Sequence, residues 1–162
     1  ELEIPMDGHS GRTLRNIVNM IYSRQPLIKK ALGIEENIVE EDFVIKINEA
    51  DINSVDSFER ALNKIEEGGH PGIEFDFKDK TITFKHTGTE AATWLFALIN
   101  KNAKAQSRAL AKVKPTDNEK YTFRTWLTRL GMIGDEYREI RKELLQNLSG
   151  NSAFRYPVKE ED

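Results

Sequence analysis

Cysteine is absent from the 162 residues of this chain, which excludes disulfides, thiolate metal sites and cysteine nucleophiles. No apolar run approaches the roughly 20 residues that a membrane helix needs, and no secretory signal pattern is present. Histidine is scarce, and His9, His70 and His86 lack the i, i+4 spacing that puts two imidazoles on one helix face, so no metal site is readable from them. Phosphate loops, nucleophile elbows and dinucleotide fingerprints are missing, as are internal repeats. Nor is there an excess of positive charge. A net charge of -3 gives no general attraction to nucleic acid or anionic membranes. With 38% hydrophobic and 31% charged residues, the chain reads as a rather polar globule, long enough to bury a core and expected in the cytoplasm. It starts at Glu1 rather than methionine, so a trimmed product or a part of a longer one is expected.

What is present is most strongly patterned from Lys120 to Asn151. Thr122 precedes an apolar set at Phe123, Trp126, Leu127 and Leu130, the i, i+3, i+4, i+7 spacing of one buried helix face, closed by Gly131. After Gly134, Asp135 can cap a second helix with Tyr137, Ile140, Leu144 and Leu148 inward. The plain reading is an αα-hairpin in a core. A DNA-binding helix-turn-helix would point Arg138, Arg141 and Lys142 at phosphates. However, Asp135, Glu136, Glu139 and Glu143 interleave with them and leave that helix nearly neutral.

Earlier in the chain, residues 1–9 read as an extended arm ending in a turn. Ser10 can cap a helix with Leu14, Ile17, Val18, Ile21, Tyr22, Leu27, Ile28 and Leu32 on its stripe, ended by Gly33. Pro26 predicts a break or a fresh helical start, with Arg24–Gln25 as the joint. Phe43, Ile45 and Ile47 alternate as in a strand, although a helix fits as well. Val55, Phe58, Leu62 and Ile65 share a helical face capped by Ser54 or Asp56 and stopped by Gly68–Gly69. Residues 73–77 and 81–85 form a β-hairpin, with Ile73, Phe75 and Phe77 on one face of its first strand and Ile82 and Phe84 on one face of its second. A long helix follows Thr87-Gly88-Thr89, with Trp94, Leu95, Leu98 and Ile99 inward, continuing through Ala105, Ala109 and Leu110 to Pro115. Lys101, Lys104, Arg108, Lys112 and Lys114 make its later half basic. Residues 116–120 are a polar linker and 156–162 a charged, flexible tail. The fold class is therefore α+β: mainly α-helical, with a β-hairpin or small antiparallel sheet and a C-terminal αα-hairpin.

Chemistry is sparse. Glu74 and Asp76 alternate with buried residues, so their carboxylates share the other face of the hairpin. Beside Lys85 and His86 they could hold a hard cation or act as acid and base, against the plainer reading of a solvated strand face. The basic residues Arg12, Arg15, Arg24, Lys29 and Lys30 read as a solvated face or as anion contacts.

Two blocks resemble a known family. The segment His9-Ser-Gly-Arg-Thr-Leu-Arg-Asn-Ile-Val-Asn-Met, with Leu27-Ile-Lys-Lys-Ala-Leu32, resembles the H-x-x-R-[ST]-L-x-N segment of the amidoligases. These are carboxylate–amine ligases of phages and mobile elements, distantly related to glutamine synthetase. Lys120–Glu136 resembles the near-C-terminal signature of the phage branch, with Thr122, Phe123, Arg124, Trp126, Leu127, Arg129, Gly131 and Gly134 as its signature residues. Gly150–Arg155 resembles the ending of that branch. The resemblance covers most of residues 9–155, read as a single domain matching only the C-terminal half of the family. It implies ATP and magnesium as cofactors if ligase activity is kept, with His9, Arg12, Arg15 and Lys85 as substrate or anion contacts and Asp7 as the surviving residue of a His-x-His-x-Asp metal strand.

This sequence departs from the family where catalysis is concentrated. The residues corresponding to that metal strand are Glu3-Ile4-Pro5-Met6-Asp7. In the strand that should read [TV]-x-E-F-R, Thr83 replaces the glutamate and Lys85 the arginine. Losing such ligands removes the clamp that neutralises developing phosphate charge. The expectation is a degenerate, non-catalytic amidoligase-like module that binds or inhibits a host or phage protein. A partial ligase working around Asp7, Glu74, Asp76 and His86, and a nucleic-acid binder using the basic faces, stand as alternatives. Oligomeric state is left open.

Overall fold

The computed structural model describes residues 1–65 and 68–153. Its axis is helix α1, Gly11–Leu32. Ser10 is extended, and its hydroxyl accepts the Thr13 N–H while the Thr13 hydroxyl oxygen accepts the Ser10 N–H, a reciprocal box that satisfies two orphan donors. Gly33 closes the helix with φ 67, a left-handed turn suited to glycine. Leu14, Ile17, Val18, Ile21 and Ile28 are wholly buried. The predicted break at Pro26 does not occur. Proline leaves the Tyr22 carbonyl without its helical donor, at a cost of about 3 kcal/mol. Burial on both sides of the site outweighs that cost, with Ile21, Gln25, Leu27 and Ile28 all inside.

Helix α2, Glu41–Glu49, takes the segment that alternated like a strand. Phe43, Val44 and Ile47 are buried and Ile45 is 48% exposed, a helical pattern. Helix α3, Val55–Lys64, is capped by Ser54 rather than Asp56. It crosses α1 so closely that a Cβ on Gly11 would overlap the Ser54 carbonyl, which is why the first residue of α1 is glycine.

The arm expected at the N-terminus is strand β1, Leu2–Pro5. With β2, Ile73–Asp76, and β3, Thr81–Phe84, it forms an antiparallel sheet of order β1-β3-β2. Registry puts Leu2, Phe84 and Ile73 in one row and Ile4, Ile82 and Phe75 in another, two residues along each strand and so on the same face. That face packs inward: Phe96 stacks on Phe84 at 5.3 Å, and Phe58 meets Phe75 edge-on at 5.2 Å. The outer face carries Glu3, Thr83 and Glu74 in a row, then Pro5, Thr81 and Asp76.

Helix α4, Glu90–Ala105, is capped by Thr89 and ends ten residues before the predicted Pro115. The cause lies in α1. The buried Asn16 amide donates to the Ala103 and Gln106 carbonyls and accepts the Ala109 N–H at 2.9 Å, so it replaces the helix's own continuation. Asn19 binds the Ala109 carbonyl and Asn48. Arg108, Lys112 and Lys114 consequently lie on an irregular strap rather than on a helix face. Trp94, expected inward, is 39% exposed and meets the Tyr137 ring edge-on, because Leu95, Phe96, Leu98 and Ile99 take the buried face.

Helix α5, Glu119–Leu130, starts three residues before the predicted cap. Asn118 accepts the Tyr121 N–H and so caps it, and Thr122 sits inside the first turns. Gly131 ends the helix with φ 109. Asp135 makes no cap bond. A 3-10 turn at Asp135–Tyr137 leads into α6, Arg138–Leu145, whose buried anchor is Leu144, with Leu148 buried just beyond it. Helix α6 contacts α5, α4 and α1. The fold is α+β and mainly helical, with one small antiparallel sheet among the described residues. None of the described helices is long and apolar enough to cross a membrane. The expected tail at 156–162, and the Phe154–Arg155 end of the second resemblance block, lie outside the described residues.

Candidate functional site

The side chains singled out in the sequence fall into four separate places. Glu74 and Asp76 sit on the outer sheet face beside Thr83 and Thr81. The Asp76 carboxylate accepts the Asp79 N–H at 2.9 Å, which shapes the hairpin turn. Lys85 and Asp7 are exposed. His86 lies past the end of β3 and lines a different cleft, of about 290 Å³, with Leu32, Thr89 and Leu144. The hairpin therefore does not unite Glu74, Asp76 and His86. Among the described residues no three His, Cys, Asp or Glu side chains are grouped to hold a metal ion. His70 is a packing residue: its Nδ1 lies 2.8 Å from the Ile73 carbonyl, and its ring lies against Phe43 and Phe75.

Arg12 and Arg15, three residues apart on α1, line one cleft, whereas His9, at the same end of the helix, turns to α4. His9 sits half-buried, with Nε2 2.7 Å from the Asn100 Oδ1 and Nδ1 2.8 Å from the Thr13 hydroxyl. Burial lowers its pKa, the Asn100 bond opposes that, and the Lys104 charge lowers it further. The Asn100 Oδ1 can only accept, so His9 donates to it from Nε2. Arg12, Arg15 and Arg108 line a cleft of about 560 Å³, together with the amides of Asn16, Asn19 and Asn48 and the carboxylate of Asp51. Arg12 Nε donates to the Ile52 carbonyl and Arg15 to the Ala50 carbonyl at the end of α2. Burial, then Arg12, then Arg108 push the Arg15 pKa down. Among the described residues the ion pair formed is Lys30 with Glu119, so these three guanidiniums have no carboxylate within pairing distance. The arrangement favours an incoming anion.

The second resemblance block supplies the fourth place. Phe123, Trp126 and Leu127 are core, Arg124 is exposed, and Gly131 and Gly134 turn the chain with positive φ. Thr122, Trp126 and Arg129 border a cleft of about 760 Å³ between α5, the strap and Arg24 of α1. Arg141, a phosphate contact on the helix-turn-helix reading, instead donates to the Met132 and Gly134 carbonyls at 2.9 and 3.0 Å, which holds the corner between α5 and α6.

Sequence reading missed Asn16, Asn19, Asn48 and Arg108 as wall residues. The available signal was a pair of asparagines three apart within the apolar stripe of α1, where buried amides need partners. The class that this fold defines is a mainly helical α+β protein with arginine-lined clefts. Comparison with family models, curated proteins and solved structures gives no match.

Proposed function

We propose that this chain is a non-catalytic, amidoligase-like module of a phage or mobile element that binds an acidic protein partner of host or phage origin. The observation that carries this reading is the cleft of Arg12, Arg15 and Arg108, three guanidiniums without a paired carboxylate among the described residues. The dispersal of Asp7, Glu74, Asp76 and His86 supports it, since acid–base or metal chemistry needs such groups within reach of one another. Under this reading the protein acts in the cytoplasm, where a chain without cysteine has no need of an oxidising compartment.

Two measurements test it. Phosphate release from ATP with magnesium, across carboxylate and amine donors, is expected to stay at background; magnesium-dependent turnover would establish the partial ligase instead. Binding to a polyglutamate peptide is expected, with loss in the Arg12→Glu/Arg108→Glu double variant. Tighter binding to duplex or single-stranded DNA, falling steeply with salt, would move the function to nucleic acid.

A further inference from the structure

Arg24 is a half-buried cation on an aromatic ring. It projects from the middle of α1, and its guanidinium lies over the Trp126 ring at 5.7 Å from the centroid. Among the described residues it donates no hydrogen bond and forms no ion pair. Burial and then the charge of Arg129 both push its pKa down, so its surroundings disfavour the charge it carries. A guanidinium has five donors and stays protonated in proteins, so a desolvated one beside another cation calls for an anion.

The cleft there is built to admit one. Arg24, Arg129 and Lys114 line it, against a single carboxylate, Asp117. Thr116 and Thr122 share one hydroxyl hydrogen bond at 2.7 Å, which leaves one of the two protons free to donate. The Thr125 hydroxyl donates to the Tyr121 carbonyl, while Tyr121 and Trp126 supply an aromatic wall. A volume of about 760 Å³ lies in the range of small-molecule sites. We propose that the cleft between α1 and α5 binds a nucleoside monophosphate or a similarly small ring-bearing phosphomonoester, with Arg24 and Arg129 gripping the phosphoryl oxygens and Tyr121 and Trp126 flanking the ring. Bidentate guanidinium contacts suit a dianionic tetrahedral group better than a monocarboxylate. The site is separate from the Arg12–Arg15–Arg108 cleft and does not depend on the function proposed above.

Trp126 makes the test direct. In a Trp94→Phe background it is the only tryptophan of the two in the chain, and a phosphate that draws Arg24 off the ring changes its fluorescence. Titration with AMP is expected to give a saturable change without magnesium. Inorganic phosphate should bind about tenfold more weakly, lacking the ring. Arg24→Gln and Arg129→Gln should each weaken AMP binding about tenfold or more, the cost of losing a charge-assisted contact. Arg129 is exposed, so its variant folds normally even if Arg24→Gln does not. Lys78→Gln, on the exposed hairpin turn, should leave the titration unchanged. Absence of saturation at millimolar AMP, or undiminished binding in Arg129→Gln, would overturn the site. Equal affinity for phosphate and AMP would overturn its assignment to a ring-bearing ligand.

Discussion

Asn16 stops a helix that its own sequence would continue. Residues 106–114, QSRALAKVK, contain mostly good helix formers, yet the chain leaves the helix because one buried amide in α1 offers the Ala103 and Gln106 carbonyls a partner. Asn16→Leu should destabilise the protein by about 2–4 kcal/mol, since it leaves several buried backbone groups unpaired, measured by urea denaturation. His9 gives a second residue-scale prediction. Its folded-state pKa lies below the ordinary 6.5, so the unfolded chain binds the proton more readily in that range. Its contribution is therefore complete above about pH 6.5 and declines as pH falls below that value toward the folded-state pKa. Denaturation curves across pH for wild type and His9→Gln should differ by this slope. Parallel curves would refute it.

At the scale of elements, α1 shows how packing overrides a local signal. Pro26 is exposed while its neighbours Gln25, Leu27 and Ile28 are buried. Gln25 also receives the Ile38 and Val39 N–H groups and donates to the Val39 carbonyl, so a break at this point would unmake the loop before α2. Pro26→Ala restores a helical donor and gives the unfolded chain more freedom. The net expectation is a stabilisation of about 1–2 kcal/mol, read from the denaturation midpoint. Gly11→Ala should act oppositely, by about 2 kcal/mol or more, because α1 and α3 cannot separate there without losing the Ser54 cap.

Over the whole molecule, the end of α1 and the last described segment of the chain meet through a small polar knot. Glu119, at the start of α5, receives Lys30 from the end of α1 and both the N–H and hydroxyl of Ser149. Asn147 donates to the Lys30 and Ala31 carbonyls. Burial alone would raise the Glu119 pKa, but the bonds from Lys30 and Ser149 outweigh it and hold it below the ordinary 4.5. Its stabilising share is thus present above that value and lost as pH falls through the folded-state pKa. Glu119→Gln should flatten this part of the acid unfolding profile. An unchanged profile would mean that the knot is incidental.

The sequence by itself determined most elements and both faces of the hairpin. Ser10, Gly33, Ser54 and Gly131 mark helix ends by chemistry that works locally, and the alternation of Ile73 and Phe75 needs only a strand with one wet side. It also put Arg12 and Arg15 on one side of α1, because they stand three residues apart at a helix start. Tertiary structure decided what distant residues do to one another. β1 became a strand because β3 had a free edge, α4 stopped at a partner's amide, and Thr122 yielded the cap to Asn118. The sites followed the same rule. Arg108 joins Arg12 and Arg15, and Arg24 lies on Trp126, only because elements far apart in the chain pack against each other. Neither pairing has a period, a spacing or a motif by which a single sequence could announce it.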